Sequence, residues 1–515
     1  MEPYSDGKTV DILDETKAKP TDNNHLGHSI QYNKTLAPYD HEEHHTNPWV
    51  MIFIFGGLAF GLTLQALLAL PGIKRYVKIP YTVAVMLISL IVGIAINVLS
   101  ENEKEAEYIY ATFTMAETNP RLIMVIFLPI LIFDSAFRME GHSVLKALGQ
   151  IALLSGPGLV ISTLIIAVST WGLMYWLRGL EAWTPALCLV FGSILSATDP
   201  VAVVALLREL GAPRAIVTVT EGESLFNDGA AIIAYEALLL FTKRDLDKSR
   251  VMTDKELLVG TGMQLMGIVV APLIGLTSGK LAEVALLRTY NNEIREKGII
   301  LVAVYWTFFL CELTRVSGVL ALVVLGLWLS NKRHSISPEA FDDNSRFWDF
   351  FSFWANTLIF ILAGFVIAKP IIQASVPHGS YIYPEANVSH SMTDTLISGA
   401  KSAMSANSSW IDYLYIFLAY VMVNVSRAIA VLVMYPVLKN IGYGLPWKHA
   451  MVLVWGGLRG AIGLLLALEL AEQPFIRYGY EKEVGEKVVL YVSGVVAMTL
   501  IINATTFAPL LKLFR

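Results

Sequence analysis

The sequence predicts an all-α polytopic membrane protein with about thirteen transmembrane helices, built as inverted six-helix repeats with two crossed discontinuous helices. Three observations carry that expectation. Of the 515 residues, 55% are apolar and 16% charged, with a mean hydropathy of +0.56, whereas a soluble globular chain carries roughly 25% charge. The apolar residues come in blocks close to the length of about 20 residues that a helix needs to cross a bilayer. Two of the blocks are interrupted in their middles, one at Ser196-Ala197-Thr198-Asp199-Pro200 and the other at Gly456-Gly457-Leu458-Arg459-Gly460.

Residues 1–47 hold Asp, His, Lys, Asn and Thr throughout and no apolar run, so they form a polar tail and not a cleaved signal peptide. From Pro48 the exchange of apolar and polar stretches places spans at roughly 48–70, 80–99, 121–137, 147–177, 183–207, 215–241, 258–286, 298–313, 316–330, 347–368, 411–438, 449–471 and 488–511. The eighth and ninth form one long apolar block, divided at Thr314-Arg315-Val316-Ser317-Gly318 because an unpaired arginine belongs at a water interface. Lysine and arginine set the orientation. With the N-terminus outside, the inner loops hold Lys74, Arg75, Arg138, Lys146, Arg208, Arg214, Arg288, Arg295, Lys332, Arg333, Lys439 and Lys448, and the end at 512–515 is cytoplasmic. The outer loop near 100–120 carries five glutamates, and the basic residues of 242–257, also outside, are nearly cancelled by Asp245, Asp247, Asp254 and Glu256. Glycosylation acceptors at Asn33, Asn387 and Asn407 fall in the tail and in a long loop at 369–410, all outside, while matches at Asn424 and Asn503 fall inside spans and are chance. That pattern favours the secretory route and the plasma membrane.

Two copies of six spans separated by one linking helix face opposite ways across a membrane, and span five then corresponds to span twelve. These are the two interrupted ones. Proline and glycine at mid-membrane free backbone groups and split each helix into half-helices whose dipole ends point at the bilayer centre. Charge at membrane depth is costly and functional by default. Asp199, Glu223, Asp228, Arg427 and Arg459 qualify, whereas Glu236, Glu312 and Glu469 lie nearer span ends, where they reach an interface or line a vestibule. Three acids against two bases leave one surplus carboxylate, which in a dry site takes up either a proton or a cation. At about 100° per residue, Glu223 and Asn227 share a helix face and Asp228 points about 140° away from Glu223. Glu223, nearer the inner end, suits a fixed pair with Arg427, and Asp199 and Arg459 suit the half-helix N- and C-termini at the breaks. Asp228 is left to bind and release.

Thr198-Asp199-Pro200 followed by Glu223-Ser224-Leu225-Phe226-Asn227-Asp228 resembles the sodium/proton exchanger branch of the cation/proton antiporter superfamily. Phe127-Leu128-Pro129-Ile130-Leu131-Ile132-Phe133-Asp134 and Gly456-Gly457-Leu458-Arg459-Gly460-Ala461-Ile462 look like two further signatures of that branch, and the similarity runs from about residue 50 to the end. Glu223 to Ile232, together with Asn503-Ala504-Thr505-Thr506, are most similar to the sperm-specific exchangers and the plant salt-tolerance antiporters. The resemblance implies a homodimer with dimerisation and core parts, and electroneutral exchange of one Na+ for one H+. It also implies an unwound-helix site at Thr198 and Asp199, an ion-binding pair at Asn227 and Asp228, a structural salt bridge between Glu223 and Arg427, and a crossover charge at Arg459. Those relatives carry large C-terminal cytoplasmic parts, and the present chain stops at Arg515.

Other classes fare worse. A formal charge of −5 shows no basic excess for a nucleic-acid partner. Cys188 and Cys311 match neither a metal spacing nor a redox pair, and no cofactor is implied. An intramembrane aspartyl protease needs two carboxylates sharing a proton, with a Gly-x-Gly-Asp context that neither Asp199 nor Asp228 has. A cation channel needs no titratable carboxylate.

Overall fold

A segment surrounded by lipid must satisfy its backbone hydrogen bonds internally, and here the apolar blocks do so as helices. The computed structural model describes residues 49–70, 81–99, 120–178, 183–199, 201–246, 253–375, 392–477 and 482–514, and among them every regular element is helical. The first three are α1 (Trp49–Ala69), α2 (Tyr81–Leu99) and α3 (Pro120–Arg138). A single rod follows, made of α4 (Gly141–Leu153), a π turn at Leu154–Gly158 that contains Pro157, and α5 (Leu159–Arg178). The first interrupted helix comprises α6 (Pro185–Ser196) and α7 (Val201–Glu209). Next are α8 (Arg214–Leu246), α9 (Asp254–Arg288), α10 (Glu293–Thr314), α11 (Gly318–Asn331), α12 (Pro338–Ser375) and α13 (Met392–Leu438). The second interrupted helix is α14 (Trp447–Trp455) and α15 (Ala461–Ala471), and the chain closes with α16 (Lys482–Met498), a second π turn at Thr499–Asn503 and α17 (Ala504–Phe514).

Local chemistry sets the ends that matter for the site. Pro185 opens α6 with a ring already at helical φ, and Thr184 caps it by accepting the Leu187 amide at 3.2 Å. Between α10 and α11 the chain turns at Arg315, a left-handed residue at φ 55° whose following amide donates to Cys311 O at 2.9 Å. The long apolar block is therefore two helices.

Packing centres on the interrupted pair. Lipid is as apolar as leucine, so close van der Waals approach and interhelical hydrogen bonds, not water exclusion, hold such helices together. Here α6 lies against both α5 and α8, and Gly192 permits the first contact, because a Cβ there would stand 2.5 Å from Thr163 O. Tyr415 OH donates to Thr170 Oγ1 at 3.1 Å, joining α13 to α5, and Gln150 Nε2 donates to Leu438 O at 3.2 Å. Such bonds stabilise a bundle by only about 0.6 kcal/mol each, so fit matters more than their number. By contrast α9 is largely exposed along its apolar length, with Leu258 and Leu281 open to the surroundings. Among the described residues, seven helices are long and apolar enough to cross a membrane, accompanied by five shorter apolar ones.

One sequence expectation changes. The segment 369–410, expected as a loop, is helical at both ends: α12 continues to Ser375 and α13 begins at Met392, which places Asn407 on a helix. Asn387, Asn33 and the tail at 1–47 lie outside the described residues. Asn424 and Asn503, set aside as chance sequons, meet in the interior, where Asn503 Nδ2 donates to Asn424 Oδ1 at 2.8 Å.

Candidate ion-binding site

The two interrupted helices meet at their interruptions. The Asp199 amide donates to Leu458 O at 2.8 Å, so each break supplies a partner to the other. The interruption between α6, which ends at Ser196, and α7, which begins at Val201, leaves carbonyls at the end of α6 and amides at the start of α7 without intrahelical partners. Arg459 answers the first need, donating through Nη1 to Ser196 O at 2.8 Å and Ala197 O at 2.9 Å. Asp199 answers the second, its Oδ1 accepting the Val201 amide at 2.9 Å. A cation thus sits at a helix C-terminus and a carboxylate at an N-terminus, as the macrodipole favours. Asp199 also packs on the start of α15, where Gly460 leaves room that a Cβ would fill at 2.3 Å from Asp199 Cβ.

Helix α8 passes the breaks and carries three polar residues with separate tasks. Glu223, wholly buried, takes both arms of the Arg427 guanidinium, Nη1 to Oε1 at 2.5 Å and Nη2 to Oε2 at 2.8 Å. Arg427 reaches further, donating to Leu453 O from Nε at 3.3 Å and Nη2 at 3.2 Å, so it also ties the end of α14. Asn227 sits one turn on, and its Nδ2 donates to Ser196 O and to Thr198 Oγ1, both at 3.0 Å, while Thr198 Oγ1 also meets Ser224 Oγ at 3.0 Å. Asp228 faces elsewhere. It is buried, and among the described residues its carboxylate has neither an ion pair nor a hydrogen bond. It lines a cavity of about 270 Å³ together with Thr198, Asp199, Asp134, Ser135 and Asn356.

Asn227 does not line that cavity. The structure therefore brings Asp228, Asp199 and Thr198 to one space and Glu223, Asn227, Arg427 and Arg459 to the framework behind it. Sequence reasoning missed the cavity's charged approach. Asp134 is buried and pairs with Arg138 at 2.8 Å, Arg138 also meets Asp349, and Arg208 pairs with Glu221 at 2.8 Å. The charge inventory left out Asp134 although it ends a recognised motif, and its four-residue spacing to Arg138 was the available signal. No group of three His, Cys, Asp or Glu among the described residues is arranged to hold a metal ion.

The model of the transmembrane sodium/hydrogen exchanger family matches residues 61–513. The chain belongs to the sodium/hydrogen exchanger family. Among its relatives, sodium/hydrogen exchanger 7 of Arabidopsis thaliana is 33% identical over 467 residues, 89% of this chain but 36% of that protein. Sodium/hydrogen exchanger 8 of the same plant is 31% identical, covering 85% of this chain and 52% of the relative. Solute carrier family 9 member C1 of Mus musculus is 24% identical over 82% of this chain and 32% of its own length. This exchanger-family chain thus spans about a third to a half of those relatives. The fold matches the solved sodium proton antiporter MjNhaP1 of Methanocaldococcus jannaschii with a TM-score of 0.60 at 17% identity, covering 90% of this chain and 99% of that one. Membership of the exchanger family favours neither an intramembrane protease nor a channel.

Proposed function

We propose that this chain is a secondary active antiporter exchanging Na+ for H+ electroneutrally by alternating access, with Asp228 as the carboxylate the two ions share. The observation that carries this reading is the buried Asp228, without an ionic or hydrogen-bonding partner among the described residues, at a polar cavity beside the junction of two interrupted helices. An ionised carboxylate in such surroundings is neutralised either by a proton or by a monovalent cation, so the two compete. The fixed charges nearby balance: Glu223 cancels Arg427, and Arg459 offsets Asp199. One negative site remains for one monovalent ion.

The roles divide accordingly. Asp228 carries the ion, and the Asp199 oxygen not engaged by Val201 together with the Thr198 hydroxyl stands ready to replace water around Na+. Asn227, expected as half of an ion-binding pair, contributes by fixing Ser196 and Thr198, because its Nδ2 is committed to them, while its buried Oδ1 has no hydrogen-bond partner. Glu223 and Arg427 brace α8 against α13 and α14.

The proposed membrane arrangement is thirteen crossings in inverted six-helix repeats, as a homodimer in the plasma membrane, with the N-terminus outside and the C-terminus cytoplasmic. Arg138 and Arg208, at the cavity's approach, stand at helix ends that the basic-residue bias assigns to the cytoplasm, which supports a cavity open on that side. In sealed vesicles, an imposed Na+ gradient should drive proton movement and an imposed pH gradient should drive 22Na+ uptake. Asp228→Asn should abolish both while membrane insertion stays normal. Unchanged exchange by that variant would end the assignment.

A further inference from the structure

On the other side of Asn227 from the ion-binding cavity lies a second, much smaller interior space of about 10 Å³. Ser196 at the end of α6, Asn227 of α8, Arg427 and Ala430 of α13 and Arg459 of the second interruption line it. Leu154 and Gly158, from the π turn in the rod of α4 and α5, complete the wall. A π turn carries an extra residue and widens a helix locally, as happens at functional sites. The volume is enough for one water molecule and for nothing larger.

Two of the lining side chains have unmet hydrogen-bonding needs. Asn227 and Arg459 are each 2% exposed, and among the described residues Asn227 Oδ1 and Arg459 Nε have no hydrogen-bond partner. Both side chains are anchored on the same atom, since Ser196 O accepts Asn227 Nδ2 at 3.0 Å and Arg459 Nη1 at 2.8 Å. A carbonyl oxygen only accepts, so the amide must present its nitrogen there and carry Oδ1 on its other limb, and the planar guanidinium likewise fixes Nε beside the bonded Nη1. The two unpaired atoms are therefore held near each other, on residues that line the small cavity and not the large one. One of them accepts and the other donates.

We propose that a single water molecule occupies this cavity, accepting from Arg459 Nε and donating to Asn227 Oδ1. The chemistry of the lining selects that occupant. A cation would face the guanidinium groups of Arg427 and Arg459, an anion would face the Asn227 oxygen, and an apolar filling would leave both unpaired atoms buried without partners, which is costly. A neutral molecule of one heavy atom that both donates and accepts meets every requirement. The water closes a ring that runs from Ser196 O through Asn227, the water and Arg459 back to Ser196 O. Asn227 Nδ2 reaches only the first break, and through the water its other limb reaches the second, so α8 is tied to both interrupted helices beside Asp228. This inference stands on the interior geometry and does not depend on the exchange reading.

The test uses the full chain and has two arms. A structure determined at a resolution that orders interior water should show a peak within about 2.7–3.2 Å of both Asn227 Oδ1 and Arg459 Nε. A dry cavity, or a peak that bonds only one of the two atoms, would overturn the site. The second arm fills the space from α13, where Ala430 is 4% exposed. Ala430→Val should displace the water, leave both atoms unpaired and lower the unfolding temperature by a few degrees, whereas in a dry cavity the same methyl groups would fill a void and raise it. Ala430→Ser brings a hydroxyl of its own and should stay close to the unmodified protein. An unchanged or raised unfolding temperature in Ala430→Val would overturn the proposal, as would an equal loss in both variants, which is the mark of crowding and not of a displaced water.

Discussion

Gly460→Ala is the smallest change that should disable the junction of the interrupted helices. Its φ of −133° is ordinary extended backbone, so alanine fits the chain, and the obstacle is steric. The added Cβ would lie 2.3 Å from Asp199 Cβ and 2.4 Å from Oδ2, whereas carbon atoms rest at about 3.5–4.0 Å. Asp199 must retreat by more than about 1 Å. It cannot do so and keep both the 2.8 Å bond from its amide to Leu458 O and the 2.9 Å bond from the Val201 amide to its carboxylate. Overpacking costs about 1–3 kcal/mol, and a charge-assisted cap a further ~1.5–3 kcal/mol. Where positioned groups act together, a displacement of about 1 Å lowers a rate by roughly 100-fold. In reconstituted vesicles Gly460→Ala should therefore lose about that factor in Na+-driven proton movement and unfold at lower temperature. Gly172→Ala on α5, where nothing lies within 4 Å of the new methyl, is the control and should behave as the unmodified protein. Normal transport by Gly460→Ala would show that Asp199 does not shape the site.

Glu223→Gln and Arg427→Gln should each destabilise the protein by about 3–5 kcal/mol by leaving a buried charge unpaired, and the double variant should recover part of the loss. Thermal unfolding of the four proteins measures the coupling, and strictly additive losses would mean the pair does not interact. Asn227→Asp removes the donor to Ser196 O and Thr198 Oγ1 and sets a carboxylate against a carbonyl, so it should cost about 1–3 kcal/mol. Its unfolding temperature should fall accordingly, and an unchanged one would contradict the two bonds. Asn503→Leu should cost about 1–3 kcal/mol, because Tyr420 OH and Asn424 Oδ1 lose their interior partner, and an unchanged unfolding temperature would contradict that.

Much of this was legible in the sequence because membrane burial makes charge and backbone breaks conspicuous. Pro200 and the Gly456–Gly460 run interrupt otherwise apolar blocks at matching positions, and Glu223 and Arg427, which the structure joins, were interior charges of opposite sign on different spans. What spacing could not convey was which side of α8 faces open space. Asn227 and Asp228 are neighbours in sequence, yet the Nδ2 of one donates to the α6 break while the adjacent carboxylate lines the cavity. The helical stretch at 392–410 escaped because polarity there mimics a loop, and helix formation depends on backbone bonds that composition does not forbid. Asp134 escaped because its partner Arg138 sits at a span end, where charge looks ordinary.

Competition between H+ and Na+ at Asp228 is tested most directly by measuring apparent Na+ affinity against pH on one face of vesicles while recording current. A single shared carboxylate predicts that the affinity weakens by about tenfold per pH unit on the acid side of its titration, that saturating Na+ restores the full rate, and that no net current flows. A Na+ affinity independent of pH across the range of exchange, or a robust Na+-coupled current from the unmodified protein, would contradict it.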